Sequence, residues 1–222
     1  MLPVSSEDAW SLVTGCTGGI GEGFALVLAS RGFNVLLVSR SESKLKELAA
    51  TIKSKYPKVQ TDYVVSDATS RDVTNITSVI SATADKNLTI VVNNVGVSND
   101  MPMSYESTND VDIENMIAVN CRYGALLTNK LITVMKKTTK TSSTRGAIIN
   151  LSSQSAYMHV PYLAIYSATK AFNLAHSNAI RDELKEDNID VLALTPGFVA
   201  TAMTRMKSNV EVRCKRAHSI LL

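Results

Sequence analysis

A tyrosine and a lysine stand four positions apart in the stretch YSATK at 166–170, directly before the helix-like sequence AFNLAHSNAIRDELK. Residues at positions i and i+4 of a helix lie on one face, one turn apart. A phenol and an ammonium held in this way can change each other's proton affinity, which is a basis for general acid–base catalysis. Such a pair also arises by chance. Tyr166 and Lys170 therefore indicate chemistry only if the rest of the chain supports it.

A glycine-rich turn, TGCTGGIGEG at 14–23, follows the first predicted strand and opens the first predicted helix. Glycines permit a tight turn and a close backbone approach, so a pyrophosphate can bind the free amides at the helix N-terminus. This context predicts a dinucleotide site, and a glycine turn without a ligand is the alternative. The residues predicted to hold the cofactor here are Gly15, Thr17, Gly18, Gly19, Ile20 and Gly21.

The end of the second predicted strand indicates which dinucleotide binds. Dinucleotide folds that prefer NAD place an acid there for the ribose 2′-hydroxyl, whereas this chain has Ser39 and Arg40, followed by Lys44. An arginine at this point suits a 2′-phosphate, which predicts NADP(H) as the cofactor. The alternative is that Arg40 is a solvated loop charge.

Short β-branched runs alternate with stretches of helical spacing, which defines the elements that must position these residues. Near-continuously apolar strands that alternate with helices predict an α/β doubly wound parallel sheet of the Rossmann type, in three layers. The threonine-rich stretch at 136–145 is predicted to be a surface loop. The predicted strands cover 10–15, 34–39, 59–66, 88–94, 146–153 and 189–195, and the predicted helices cover 20–31, 42–55, 70–84, 109–137 and 166–187.

Composition limits the class of protein. The 222 residues are 45% hydrophobic and 19% charged, with a net charge of +3, which fits one globular domain over 1–222 and does not indicate a nucleic-acid partner. The three cysteines are far apart in sequence, which is typical of reduced thiols facing the cytosol. The sequence predicts neither a signal peptide nor a membrane segment, so a soluble, cytosolic chain is expected.

With these motifs in order, the chain resembles the short-chain dehydrogenase/reductase family. The resemblance extends from residue 10 to about residue 205. The residues that carry it are Thr14 to Gly21 in the glycine turn, Asp67 after the third strand, NNVG at 93–96, Asn120 in AVNCRYG, Ser153 in NLSS, Tyr166 and Lys170 in YSATK, and PGFVAT at 196–201.

The resemblance implies a catalytic tetrad of Asn120, Ser153, Tyr166 and Lys170 that reduces a ketone. Tyr166 would be the general acid, Ser153 would donate a hydrogen bond to the carbonyl oxygen, and Lys170 would lower the pKa of Tyr166 and bind the nicotinamide ribose. Asn120 would hold a water in the proton relay; its alternative is a side chain that bonds backbone inside a helix. The remaining cofactor contacts implied are Asp67 to the adenine, with Asn94, Tyr166, Val199 and Thr201.

Finer details resemble the NADPH-dependent very-long-chain 3-oxoacyl-CoA reductases and related hydroxysteroid dehydrogenases. They are LLVSRSESKL, VVNNVGVS, the threonine-rich stretch and VPYLAIYSATKAF. This branch implies a small-molecule lipid or steroid-like carbonyl as substrate and an association with the endoplasmic reticulum. Relatives also imply a homodimer formed through the helix of Tyr166 and the helix before it.

Other candidate residues are less favourable. His159 is expected on a wall of the substrate pocket and His176 inside the last long helix, and neither has the partners of a Ser-His-Asp hydrolase. Methionines at 101, 103, 203 and 206 flank the expected pocket, where they line an apolar channel or simply pack.

The chain departs from the family pattern after Thr201. Only 21 residues follow it, so the sequence predicts a shortened C-terminus that lacks the last strand and leaves the sixth strand as an exposed edge. Three hypotheses result: an NADPH-dependent 3-oxoacyl-CoA or similar lipid ketone reductase, a reductase or dehydrogenase for a steroid or another carbonyl, and a catalytically weak NADP-binding protein whose substrate lid is lost.

Overall fold

A computed structural model describes residues 8–142, 144–158, 160–199 and 201 of the chain. Its centre is a parallel sheet of six strands in the order β3-β2-β1-β4-β5-β6, with a crossover between β3 and β4, where the order reverses. This is the doubly wound topology that the strand–helix alternation predicts. The strands are β1 (Ala9–Thr14), β2 (Asn34–Ser39), β3 (Thr61–Val65), β4 (Asn87–Asn93), β5 (Gly146–Leu151) and β6 (Ile189–Leu194).

Helices connect consecutive strands, and their bounds follow the predicted periods closely. A π-helical segment, Ala118–Tyr123, joins two of them and interrupts the long helix expected at 109–137. The third helix begins later than predicted because the Asp72 carboxylate accepts a hydrogen bond from the Thr74 amide, at 2.9 Å. The helices are α1 (Gly19–Ser30), α2 (Glu42–Lys55), α3 (Thr74–Ser81), α4 (Asp110–Ile117), α5 (Gly124–Ser142) and α6 (Ala164–Glu183).

The three-layer arrangement follows from strands that are apolar on both faces. Successive side chains of a strand point to opposite faces, so Leu12 and Val13 of β1, both fully buried, enter different cores. Val13 packs with Phe24 and Leu28 of α1 and with the buried face of α2. Leu12 lies in the opposite core, with α3, α5 and Ile180 of α6. Helices on both faces leave the carboxyl ends of the strands as the open edge, where ligands bind in such sheets.

The prediction of a surface loop over 136–145 was wrong for residues 136–142, because α5 continues to Ser142. Thr138 and Thr139 are buried, and hydroxyls along this turn donate to backbone carbonyls three or four residues earlier. The Thr141 and Ser142 hydroxyls do so at 2.8 and 2.7 Å. A run that looks loop-like by composition is therefore helical, since its polar groups are satisfied within the helix.

The sixth strand borders only β5 among the described residues. Its side chains alternate between the core and solvent, with Ile189 and Val191 buried and Leu192 48% exposed. Within the described part of the chain, no helix is both long enough and apolar enough to cross a membrane.

Candidate active site

The glycine turn forms a cradle that side chains would fill. Gly15 and Gly19 have φ values of +61° and +58°, which favour glycine. A Cβ at Gly21 would lie 2.4 Å from both Asn94 Nδ2 and the carbonyl oxygen of Gly15. Because Gly18 occupies the N-cap of α1 and has no side chain to cap it, the first amides of the helix are open to an anion. The residues present therefore fit the pyrophosphate of a dinucleotide.

Asn94 holds this turn against the end of β4. Its Nδ2 donates to the carbonyl oxygens of Thr14 and Gly15, both at 3.0 Å. The Thr14 hydroxyl in turn accepts from the amides of Asn94 and Val95, at 3.0 and 3.1 Å. Asn94 was predicted as a cofactor contact, and the structure shows a side chain that shapes the cradle through its amide.

Arg40 lies at the carboxyl end of β2, as predicted. Its side chain is exposed and makes no hydrogen bond or ion pair with the described residues. Beside it the hydroxyls of Thr17 and Ser39 share a hydrogen bond of 2.8 Å, which joins the glycine turn to this strand end. The arrangement offers a cation and two hydroxyls at one edge of the cradle.

The other predicted cofactor residues surround the same edge of the sheet. Asp67 follows β3 and accepts through Oδ1 from the amide and the hydroxyl of Thr69, at 2.9 and 2.8 Å. Val199 and Thr201, which follow β6, are half-buried. Thr201 reaches the glycine turn, since a Cβ at Gly19 would lie 2.9 Å from its methyl group.

Asn120 is buried in the π-helical segment, and its side chain is fully engaged. Nδ2 donates to the Val97 carbonyl at 2.8 Å and to the Thr169 hydroxyl at 3.0 Å, and Oδ1 accepts from the Val97 amide at 2.8 Å. Both amide hydrogens are therefore used, so the predicted relay water would have to donate to an oxygen of Asn120. Asn120 ties α6 to the loop after β4, and π-helical segments often mark functional sites.

The two serines after β5 have different surroundings. The Ser152 hydroxyl is buried and donates to the Lys170 carbonyl at 2.7 Å, which supports the structural role expected of it. The Ser153 hydroxyl is half-buried, accepts from the Ser155 amide at 3.2 Å and lies beside Tyr166 on α6. Ser153 is thus the serine that faces the predicted general acid.

Lys170 lies deep beneath Tyr166, with an exposed fraction of 4%. Its ammonium donates to the Leu151 carbonyl at 3.0 Å and lies 5.7 Å from the centre of the Tyr166 ring. A Cβ at Gly96 would lie 3.2 Å from Lys170 Nζ and 3.3 Å from Asn120 Oδ1, so both polar groups converge on this glycine. The four tetrad residues predicted from sequence therefore occupy one site, at the end of β4 and β5.

Comparison with known proteins decides the family of this site. The sequence matches the short chain dehydrogenase family over residues 9–211. The chain belongs to the short-chain dehydrogenase family. Among curated relatives of this short-chain dehydrogenase are two named very-long-chain 3-oxoacyl-CoA reductase. That of Candida albicans is 36% identical over 206 residues, 91% of this chain and 59% of the relative. That of Kluyveromyces lactis is 34% identical over 201 residues, 90% of this chain and 58% of the relative.

Solved short-chain dehydrogenase structures share the fold. A 3-ketoacyl-(acyl-carrier-protein) reductase from Brucella melitensis, complexed with NADH, has a TM-score of 0.84 at 25% identity and covers 98% of this chain and 91% of its own. A short-chain dehydrogenase from Sphingobium yanoikuyae in complex with NADPH has a TM-score of 0.80 at 25% identity, covering 96% and 82%. A 7β-hydroxysteroid dehydrogenase has a TM-score of 0.78 at 25% identity, covering 96% and 77%.

In the short-chain dehydrogenase site, the pKa of Tyr166 shifts in the direction opposite to the prediction. Burial raises the pKa of Tyr166 above its ordinary value, and the nearby Ser153 hydroxyl opposes this only in part. The prediction that the Tyr166 pKa is lowered overall was wrong for this arrangement, because desolvation outweighs the opposing effects of neighbouring groups. The phenol is therefore protonated at neutral pH, which is the state that a general acid requires.

Burial also lowers the pKa of Lys170 to about 8, from 10.5. The unfolded chain therefore binds more protons between these two values, so Lys170 makes the free energy of unfolding rise with pH across that range. We expect a Lys170→Met variant to be more stable than the wild type at pH 7, with a gap that narrows as pH rises above about 8.

Urea unfolding of both proteins at several pH values measures this gap. Burial raises the pKa of Cys16 to about 12, so Cys16 makes the free energy of unfolding fall with pH in both proteins. Comparing the two proteins at each pH removes this shared contribution. A gap that does not change with pH, or a less stable Lys170→Met variant at pH 7, would contradict the inference that the buried Lys170 ammonium destabilises the fold.

The sequence did not predict a ladder of hydrogen-bonded polar side chains that joins β4, β5 and α6. Asn93 Nδ2 donates to Asn150 Oδ1 at 2.7 Å, and Asn150 Nδ2 donates to the Ser177 hydroxyl at 2.8 Å. Asn173 Nδ2 lies 3.5 Å from the same Leu151 carbonyl that Lys170 uses. The ladder fastens α6 to β4 and β5, and the only sequence signal for it is polar residues at otherwise apolar positions.

The predicted pocket residues His159, Met203 and Met206 lie outside the described residues, whereas His176 is half-buried in α6, as expected.

Proposed function

We propose that this short-chain dehydrogenase reduces a lipid ketone to a secondary alcohol with NADPH. The observation that carries the proposal is the meeting of Ser153, Tyr166 and Lys170 at the carboxyl end of β5, beside a glycine cradle open to a pyrophosphate. A hydroxyl donor, a protonated phenol and a buried amine are the groups that carbonyl reduction needs from a protein. The described residues would form one domain.

The site residues divide the work around the carbonyl oxygen of the substrate. The Ser153 hydroxyl donates a hydrogen bond to this oxygen and so stabilises the negative charge that develops there. Tyr166 gives its proton to the same oxygen, and Lys170 stabilises the phenolate that results. The bound dinucleotide supplies the hydride to the carbonyl carbon.

The exposed guanidinium of Arg40 supports the preference for NADPH. An Arg40→Asp variant should lose affinity for NADPH by about tenfold to a hundredfold, because one charge-assisted contact to the 2′-phosphate becomes a repulsion. Affinity for NADH should rise or stay level. Fluorescence titration of both cofactors measures the ratio, with Lys53→Asp, a charge reversal of an exposed cation in the last turn of α2, as the control. An unchanged NADPH/NADH ratio in the Arg40→Asp variant would exclude this role.

The substrate proposal comes from the curated relatives. They are named for 3-oxoacyl-CoA reduction, and the chain spans somewhat less than 60% of their length. We therefore propose a 3-oxoacyl-CoA or similar lipid carbonyl as substrate. A steroid ketone is the second candidate, supported by exposed aromatic side chains beside the site, Tyr157, Tyr162 and Phe198. A catalytically weak NADP-binding protein is the third.

NADPH consumption by the purified full chain separates these candidates. Turnover of a 3-oxoacyl thioester supports the first candidate, and turnover of a steroid ketone alone supports the second. NADPH binding without turnover of either substrate supports the third.

We also propose that two copies associate through α4 and α6. These neighbouring helices expose Val111, Ile117 and Phe172, which are 67%, 47% and 43% accessible. Sedimentation velocity of the wild type and an Ile117→Lys variant tests this: the variant should sediment as a smaller species.

A further inference from the structure

The entrance to the site is formed by three loops, which we call the mouth: residues 94–109 after β4, 152–158 with 160–163 after β5, and 195–199 with Thr201 after β6. Backbone hydrogen bonds join them. The Met103 amide donates to the Tyr162 carbonyl at 3.1 Å, and the Gln154 amide donates to the Pro196 carbonyl at 3.1 Å. The three loops therefore present one continuous surface above Ser153 and Tyr166.

Large apolar and aromatic side chains stand exposed on all three loops of the mouth. Their exposed fractions are 60% to 83%, which is far above what packing residues show. Contiguous exposure of this kind is typical of a surface that binds an apolar ligand. The side chains are Met101, Tyr157, Met158, Tyr162 and Phe198.

The charges of the mouth are negative. The sequence contains no lysine or arginine in 87–121, in 146–169 or in 188–201. The loop after β4 and the start of α4 carry exposed acids instead, which are Glu106, Asp110 and Asp112.

Two cations that lie on or next to the helices bordering the mouth are already engaged. Lys170 is buried on the Leu151 carbonyl, and Arg71 pairs with Glu114. Arg40 lies at the end of β2, which β1 separates from β4 in the sheet. A phosphate group at the mouth would therefore meet apolar side chains and carboxylates among the described residues.

We propose that the mouth selects uncharged ketone-bearing lipids, so that for one acyl chain a thioester without phosphates is a better substrate than the CoA thioester. The inference rests on the proposed lipid ketone reduction and concerns only the form of its substrate. CoA carries a 3′-phosphate and a pyrophosphate, and like charges across a binding surface slow association and weaken binding. An N-acetylcysteamine thioester keeps the ketone and the acyl chain and has no charge.

The experiment compares the two thioesters of one 3-oxoacyl chain with the full chain and NADPH. At low ionic strength, kcat/KM should be about tenfold higher for the N-acetylcysteamine thioester. Added NaCl should raise kcat/KM for the CoA thioester, because salt screens repulsion, and should leave the uncharged substrate unchanged. A CoA thioester that is preferred, with kcat/KM that falls as salt is added, would overturn the inference.

Cations elsewhere in the sequence would produce a preference for the CoA thioester. Five cations, Arg205, Lys207, Arg213, Lys215 and Arg216, follow Thr201 and lie outside the described residues. If they attracted the CoA phosphates, the salt dependence would reverse while both substrates were still reduced. No reduction of either thioester would instead refute the proposed function itself.

A charge-neutralising variant tests the acids directly. Glu106→Gln, three residues after Met103, should raise kcat/KM for the CoA thioester about twofold and leave the uncharged thioester unchanged. Glu47→Gln, which makes the same charge change on the exposed side of α2, is the matched control. Equal effects of the two variants on the CoA thioester would count against a local field at the mouth.

Discussion

A Tyr166→Phe variant should reduce the ketone about 10²- to 10⁴-fold more slowly than the wild type, which is the range for loss of a positioned general acid. NADPH affinity should change by less than about threefold, because the substitution removes one hydroxyl from a half-buried ring and creates no cavity. The expectation follows from the raised Tyr166 pKa, which keeps the phenol protonated, and from its contact with Ser153. Steady-state turnover and cofactor titration measure the two quantities.

Tyr56→Phe is the matched control for this prediction. It removes the same hydroxyl from a half-buried tyrosine at the C-cap of α2, outside the candidate site. Its turnover should stay within about twofold of the wild type. A Tyr166→Phe variant that keeps more than about a tenth of wild-type turnover would show that another group supplies the proton.

The second large effect concerns the cofactor cradle. A Gly21→Ala substitution should lower the free energy of unfolding by at least about 3 kcal/mol and weaken NADPH binding. The added Cβ would lie 2.4 Å from both the Gly15 carbonyl oxygen and Asn94 Nδ2. One of these is backbone, and the other already bonds Thr14 and Gly15, so neither can move without breaking the turn.

Gly23→Ala, one half-turn later in α1, is the matched control. A Cβ at this position meets nothing within 4 Å. Alanine there should stabilise the protein by about 0.5–1 kcal/mol through helix propensity. Urea unfolding and NADPH titration of both variants provide the measurements. Equal stability of the two variants would mean that the cradle is looser than the structure shows.

The strands were predictable from sequence to within two residues because they are buried on both faces. Leu12 and Val13 belong to different cores, so neighbouring residues of the run are both apolar and both buried. The end of α5 was not predictable in this way. There, threonine and serine hydroxyls donate hydrogen bonds to carbonyls of the same helix, and composition alone does not show this.

The candidate site was predictable in its membership and less so in its electrostatics. Motif spacing predicts that Ser153, Tyr166 and Lys170 act together, and all three lie near the end of β5 or on α6. The direction of the Tyr166 pKa shift depends on burial by segments distant in sequence, which no local pattern contains. The engagement of both Asn120 amide hydrogens likewise depends on the π-helical segment and on Val97, 23 residues away.

The most direct test of the account is to follow the hydride itself. The full chain would be incubated with NADPH deuterated at C4 of the nicotinamide and an uncharged 3-oxoacyl thioester, and the product would be analysed by mass spectrometry and NMR. The account predicts a 3-hydroxyacyl product that carries deuterium on C3, and its formation should be lost in the Tyr166→Phe variant. A folded protein that binds NADPH yet forms no deuterated alcohol from this ketone or from a steroid ketone would contradict it.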